Sequence, residues 1–401
     1  MRERRERVIV AGVLCPVLLL IVALTTPRVT LHGGYDSDGM HYAAMAGAEI
    51  PEPNAGHVAP FGWRVLTPFL ASLLPGSFLF RFRAIGVVSN WITLALVFEI
   101  LRTLGHSMRS SIFGLLLYAG VFWTLKFSWY SPFYVDSQTQ LFIVALTWLS
   151  LRKAYTWVLV LLPLAALQKE SATVAGVFAI ACHARDQGAW KAASWRYAAL
   201  VVAASLVAVI GVRLAVGPIT QEWTLTHVYQ SLLMRPSLPA KLMMATVSGL
   251  GILVLLVPLH LRRSWRFLRE RWEWGIYTLA TLLLTLGGVD KSRLFLYALL
   301  PLTVVAVHVL DQAELKLSSA PVRIWLVVTL VIHLWLGWYL TPMGDAREYL
   351  LRMVPEWSTE AGWPPVVYYT QLAIVLGAWL AASLYVVRRT RSPQYERQIS
   401  R

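Results

Sequence analysis

Apolar runs of about 20 residues, the length that crosses a bilayer core as a helix, recur along the chain between short polar or basic stretches. The first run covers Val8 to Thr26, and further runs centre near residues 94, 117, 143, 162, 177, 206, 251, 281, 302, 332 and 377. Together they predict an all-α polytopic transmembrane bundle of about twelve spans. The runs near 162 and 177 are short and meet at Gln168-Lys169-Glu170-Ser171, which predicts a helical hairpin turning at one membrane face. Residues 65 to 80 are apolar as well, but they hold Pro68 and Pro75 and barely reach across the core.

Arginine and lysine positions decide what that segment does, because cytoplasmic loops are enriched in them. If residues 65 to 80 do not span, one side collects Arg102, Arg109, Arg152, Lys153, Arg185, Lys191, Arg196, the arginines from Arg262 to Arg271, Lys316, Arg323 and the tail after Arg388. If they span, all of these move outside. The expectation is therefore that both termini are cytoplasmic. Residues 27–83 form an outer loop with an interfacial or re-entrant element. Arg2 to Arg7 ahead of the first run resemble a signal peptide, but Pro27-Arg28-Val29 offers no small-x-small cleavage site, so the run reads as a retained helix.

Composition narrows the class further. The 401 residues are 57% hydrophobic and only 14% charged, which excludes a soluble enzyme, a disordered scaffold and a secreted disulfide domain. No polar stretch is long enough for a globular head, so residues 1–401 read as a single transmembrane domain without a soluble C-terminal domain. The net charge of +15 lies in short loops, which fits membrane orientation and anionic lipids rather than nucleic acid. Cys15 and Cys182 sit in apolar runs and read as small buried residues. No Walker A, Cys-x-x-Cys or His-x-x-x-His pattern occurs in a credible context.

Ionisable groups at helix ends in a membrane need a task or a partner. On the outer face the sequence gathers Asp36, Asp38, Asp136, Glu170 and Asp290 with Arg64, Lys169, Lys291 and Arg293. Carboxylates beside cations suit a reaction on a lipid phosphate with a polar acceptor: one removes a proton, the other holds the departing phosphate. Structural readings stand beside this one. Asp38 caps a helix beginning at Gly39, and Asp36 solvates the loop. Lys169 pairs with Glu170, Arg293 with Asp290, and Glu99 with Arg102; Asp136 caps a helix.

The segment Gly34-Tyr35-Asp36-Ser37-Asp38-Gly39-Met40-His41-Tyr42-Ala43-Ala44-Met45-Ala46 resembles a motif of the GT-C superfamily of membrane glycosyltransferases, an Asp, a Tyr four residues on and an Ala four after that. Asp38, Tyr42 and Ala46 occupy those positions. Arg64-Val65-Leu66-Thr67-Pro68 is similar to the Arg-x-Leu-x-Pro of bacterial members. The layout covers most of the chain, the specific motifs a few dozen residues. The resemblance implies transfer of a sugar from a polyprenyl-phosphate donor to an acceptor hydroxyl on a glycan, lipid or protein. Inversion follows, with the site on the periplasmic face of a bacterial inner membrane. It implies Asp38 as general base with Asp36 in support. Lys169, Arg293 and Arg64 would hold the donor phosphate, and Tyr42, Asp136 and Glu170 would line the substrate site. Gly39 stands where many members have Glu, which leaves open a divalent ion, Mg or Mn, on Asp36 and Asp38. The rival reading is a secondary transporter or lipid flippase, which expects midplane charges, broken helices and internal repeats.

Overall fold

The computed structural model describes residues 2–29, 34–35, 37–50, 55–188, 190–217, 219, 245–285, 291–312, 320–339 and 366–390. Within these residues the chain is all-helical, without strands. Four helices are long and apolar enough to cross a membrane: α1 (Glu3–Thr25), α4 (Phe78–Thr103), α10 (Ala192–Val216) and the Arg293–Asp311 stretch of a helix designated α14 below. Among the described residues one further pair is long and apolar enough when taken together, α5 (Met108–Gly120) followed by α6 (Phe122–Tyr130) at a bend of 57°, the geometry of a broken span or a re-entrant loop. Ser77 and Ser107 start α4 and α5 by accepting hydrogen bonds from the amides of Phe80 and Ser110.

The segment from 65 to 80 resolves into α3 (Leu66–Leu73), a turn and the start of α4. Eight helical residues reach about 12 Å, far short of a core about 30 Å thick. Pro68 falls in the first turn of α3, where its missing N–H costs nothing, and Pro75 follows the helix end. Thr67, Pro68 and Ala71 are buried while Phe69, Leu70 and Leu73 are exposed, so one side of α3 packs on the protein and an apolar side faces out.

The remaining helices form hairpins. After α2 (Ser37–Met45) and the segments above come α7 (Asp136–Leu151), α8 (Tyr155–Gln168), a 3₁₀ turn at Glu170–Thr173 and α9 (Val174–Asp186). The expected hairpin tip at Gln168 to Ser171 is thus a real corner. Beyond α10 lie α11 (Leu253–Leu259), α12 (Leu261–Glu270), α13 (Trp272–Leu284), α14 (Lys291–Gln312), α15 (Ala320–Tyr339) and α16 (Val366–Thr390).

Contacts between helix ends define two ends of the bundle. At the lower end Arg7 pairs with Glu99 at 2.8 Å, so the start of α1 meets the finish of α4. Tyr155 donates to Asp186 at 2.7 Å, Arg185 pairs with Glu273, and His106 meets Asp311 at 2.6 Å, which adds α8, α9, α13 and α14 to the same level. At the upper end the Val29 amide reaches the Tyr130 carbonyl at 3.1 Å, joining the exits of α1 and α6. A large apolar core runs through the bundle, and a smaller one at the upper end joins Tyr42 and Ala43 of α2, and Ala46 just after it, to Phe61, Phe82 and Phe133. Leu20 and Leu24 of α1, with Leu200, Val207 and Leu214 of α10, turn outward, as a lipid-facing surface requires.

Candidate functional site

The upper end brings one strand of sequence after another to the same place. In α2, Asp38 and Tyr42 are four residues apart and share a face. Asp38 lies in the first turn, where a carboxylate is favoured by the helix dipole. Its Oδ2 accepts from Arg293 Nη2 at 2.8 Å rather than capping its own helix. Gly39 sits in a close approach: a Cβ there would lie 3.1 Å from the Phe133 Cβ. The absent side chain lets α2 pack directly on the corner between α6 and α7, and a Glu at this position requires that contact to open.

Arg293, in the first turn of α14, holds three groups. Besides Asp38 it approaches Asp136 Oδ2 at 3.7 Å through Nε, and its guanidinium lies 4.9 Å from the Tyr134 ring centre. Asp136 opens α7, yet its side chain does not cap that helix; Val135 is the N-cap residue, with no side-chain bond. Asp136 Oδ1 instead accepts from Lys169 Nζ at 2.7 Å. Lys169 ends α8 in extended backbone, its ammonium 5.8 Å from the Tyr297 ring centre. The next residue, Glu170, turns the other way and accepts from Arg64 Nε at 3.2 Å, while Arg64 Nη1 donates to the Tyr42 hydroxyl at 3.0 Å.

The cluster is therefore two arms around one floor. Lys169–Asp136–Arg293–Asp38 form one, and Glu170–Arg64–Tyr42 the other. Lys169 and Asp136 are 4% and 3% exposed and form the floor, whereas the side chains of Asp38 and Glu170 keep 18% and 32% of their surface. Among the described members of the cluster, Glu170, Asp38 and Arg293 keep the most side-chain exposure. Burial works against the Arg64 charge, but Glu170 and Tyr42 more than offset it and hold its pKa above the ordinary value. Burial likewise opposes the Glu170 charge, and Arg64 pulls its carboxyl below the ordinary value. For Lys169, burial is outweighed by Asp136 and the ammonium is held charged. Burial raises the Tyr42 phenol, which stays a neutral hydroxyl.

Seven of the residues expected from sequence meet here: Asp38, Tyr42, Arg64, Asp136, Lys169, Glu170 and Arg293. Asp36, Asp290 and the Lys291 side chain lie outside the described residues. The pairings differ from the local ones the sequence offered. Lys169 takes Asp136 and not its neighbour Glu170, because adjacent residues at the hairpin tip point apart. Glu99 takes Arg7 and not Arg102, whose guanidinium goes to the His106 carbonyl and Glu3. Among the described residues no three His, Cys, Asp or Glu side chains converge, and Asp38 already faces a guanidinium, so these residues do not by themselves build a divalent-ion site.

Sequence reasoning passed over the residues that hold the cluster in register. The buried Gln168 accepts from Thr67 Oγ1 at 2.8 Å and donates to the Val135 carbonyl at 2.9 Å, tying α3, the entry to α7 and the end of α8 together. Ser171 donates to Tyr297 at 2.8 Å and fixes the hairpin tip to α14. Gln168 had one visible signal, a polar residue closing an apolar run directly before Lys169. The chain matches no family model and no curated protein.

Proposed function

We propose that the protein is an integral membrane glycosyltransferase of GT-C type that moves a sugar from a polyprenyl-phosphate donor to an acceptor hydroxyl. The observation that carries this reading is the Asp38–Arg293 contact at 2.8 Å, above the buried Lys169–Asp136 pair. A carboxylate fit to take a proton and cations fit to take a phosphate stand in one cluster open to the upper end. In this reading the upper end faces the periplasm of a bacterial inner membrane and both termini are cytoplasmic. The loop arginines and the lower-end contacts support that orientation, and the apolar runs along the sequence support about twelve crossings.

The pairing suggests how the base is released. Without donor, Arg293 neutralises Asp38 and the carboxylate is a weak base. A donor phosphate offers the guanidinium a better bidentate partner and draws it away, while Lys169 adds a point charge from below. Asp38 then accepts the acceptor O–H proton, the acceptor oxygen attacks the anomeric carbon, and the carbon–oxygen bond to the lipid phosphate breaks with its electron pair on the phosphate. One displacement without a covalent intermediate inverts the anomeric centre. Arg64, anchored on the buried Tyr42 hydroxyl, positions Glu170 at the rim, where its carboxylate is suited to bind sugar hydroxyls.

The transporter reading has one observation in its favour, the helix break at the α5–α6 bend. The carbonyls freed there are taken by Thr124 and His333 rather than presented to a cavity. The test is transfer from a polyprenyl-phosphate sugar in membranes, with mass spectrometry of host glycans and polyprenyl lipids. Asp38→Asn is expected to insert normally and lose about 10²- to 10⁴-fold of the transfer rate. Unchanged glycans on deletion of the gene, or an Asp38→Asn variant of normal turnover, overturns the reading.

A further inference from the structure

The lower end carries a second concentration of charge that sugar transfer does not use. α12 folds back on the bundle through a buried side: Ser264 Oγ donates to the Val257 carbonyl at 3.0 Å, and the Phe267 ring lies 4.3 Å from His308 of α14. Its other side shows Arg262, Trp265, Arg266 and Arg269 at spacings of three and four, one continuous stripe of the helix. Leu261 and Trp265 on that stripe are 66% and 65% exposed.

Several cations of the lower end have carboxylates: Arg7 with Glu99, Arg185 and Arg271 with Glu273, Lys153 with Asp186. Among the described residues none of Arg262, Arg266 and Arg269 has an ion pair, although the exposed Glu270 is on the same helix. Tryptophans flank the stripe. Trp190 lies 5.2 Å from Trp195 and 5.9 Å from Trp272, the residue that opens α13 directly after α12. Indole rings settle at headgroup level, so this group sets the depth of α12.

We propose that the outward stripe of α12 binds the phosphate groups of anionic phospholipids in the leaflet at the lower end, with Leu261 and Trp265 entering the acyl boundary. Unpaired guanidiniums supply the complementary charge. The exposed leucine and tryptophan beside them, next to the Trp190–Trp195–Trp272 group, favour a lipid surface, where indole rings settle at headgroup level. The buried side fixes the stripe in place: α12 seats Phe267 against His308 near the finish of α14. This inference is independent of the glycosyltransferase reading.

The test uses the full-length protein in nanodiscs of phosphatidylcholine containing some phosphatidylglycerol, with spin-labelled versions of each lipid reporting preference at the protein surface. Wild type is expected to prefer phosphatidylglycerol, by up to about five-fold for each arginine, and to lose the preference as salt is raised. Arg262→Gln/Arg266→Gln/Arg269→Gln should abolish most of it, and the corresponding triple Lys variant should retain most of it. Melting temperature in pure phosphatidylcholine checks that the variants fold, and single Arg266→Gln serves if the triple variant does not. A Gln variant with unchanged preference overturns the proposal. So does wild type without preference. Competition by inorganic phosphate at matched ionic strength identifies a site for soluble phosphate and overturns it too.

Discussion

Asp136 and Asp38 are carboxylates of one cluster, yet burial gives them different work. Asp38 keeps part of its surface and has one cation to release, while Asp136 is closed in between Lys169 and Arg293. Removing one member of a buried pair strands the other charge, at a cost of ~3–5 kcal/mol. Asp136→Asn should therefore lower melting temperature and yield, where Asp38→Asn chiefly lowers turnover. Asp136→Asn/Lys169→Met should recover much of the lost stability, because the stranded ammonium is gone; a cycle of melting temperatures in detergent checks this, and additive losses refute it. At the rim the sign of the pH effect follows from Glu170. Its folded pKa is depressed, so the bridge to Arg64 contributes stability above the ordinary value of 4.5 and loses it as pH falls through the folded value. Glu170→Gln should flatten the acid limb of a melting-temperature profile. At this scale the sequence made the residue types legible but not their partners. Asp38 and Tyr42 showed in their spacing. Lys169–Asp136 and Arg293–Asp38 join positions 33 and 255 apart, and no local rule reaches across such loops.

Helices were legible where an apolar run was long and unbroken, as in α1, α4 and α10. The breaks were not, because their cause lies on another element. α5 and α6 are one apolar run bent at Val121, and the carbonyls left at the bend need donors. Thr124 Oγ1 donates to the Val121 carbonyl at 2.7 Å, and His333 Nε2, from α15, meets the Leu117 carbonyl at 2.6 Å. Nδ1 of the same ring accepts from the Ile252 amide at 3.2 Å just ahead of α11. Two bonds of this kind require the neutral ring with its proton on Nε2. Gly120 and Gly251 make room: a Cβ at either would lie about 2.6 Å or less from the imidazole. A scattered histidine in an apolar run gave no sign of this; it reads as packing until α5, α11 and α15 are seen together. His333→Ala leaves a void and two unsatisfied backbone groups, each worth ~1–3 kcal/mol. It should lower the melting temperature markedly, and His333→Gln, which keeps a donor and an acceptor, should restore part of it. Equal melting of wild type and Ala variant shows that the breaks hold themselves.

Across the whole molecule, the contacts sort charge by role. The lower end holds pairs between helix termini, such as Arg7–Glu99 and Arg185–Glu273, that tie the bundle together, and the arginine stripe of α12. The upper end holds the cluster of Asp38, Arg64, Lys169 and Arg293. Short α3 matters for this division, since a span in its place would exchange the faces of every later loop. The orientation of the two ends across a membrane is therefore a single question, and positive-inside bias predicts the lower end in the cytoplasm. Labelling with a membrane-impermeant thiol reagent tests it. Cys15 and Cys182 are buried and give little background. Ser72 on α3 is exposed and reports the upper end. Glu270 at the end of α12 is exposed and reports the lower end. Ser72→Cys should react in intact cells with a permeable outer membrane, and Glu270→Cys only after the inner membrane is opened. The reverse pattern would put the cluster in the cytoplasm, where a periplasmic polyprenyl-phosphate donor cannot reach it. Labelling of both from outside would mean that the helices between them do not separate two compartments, and the bundle would lose its assignment as a spanning domain.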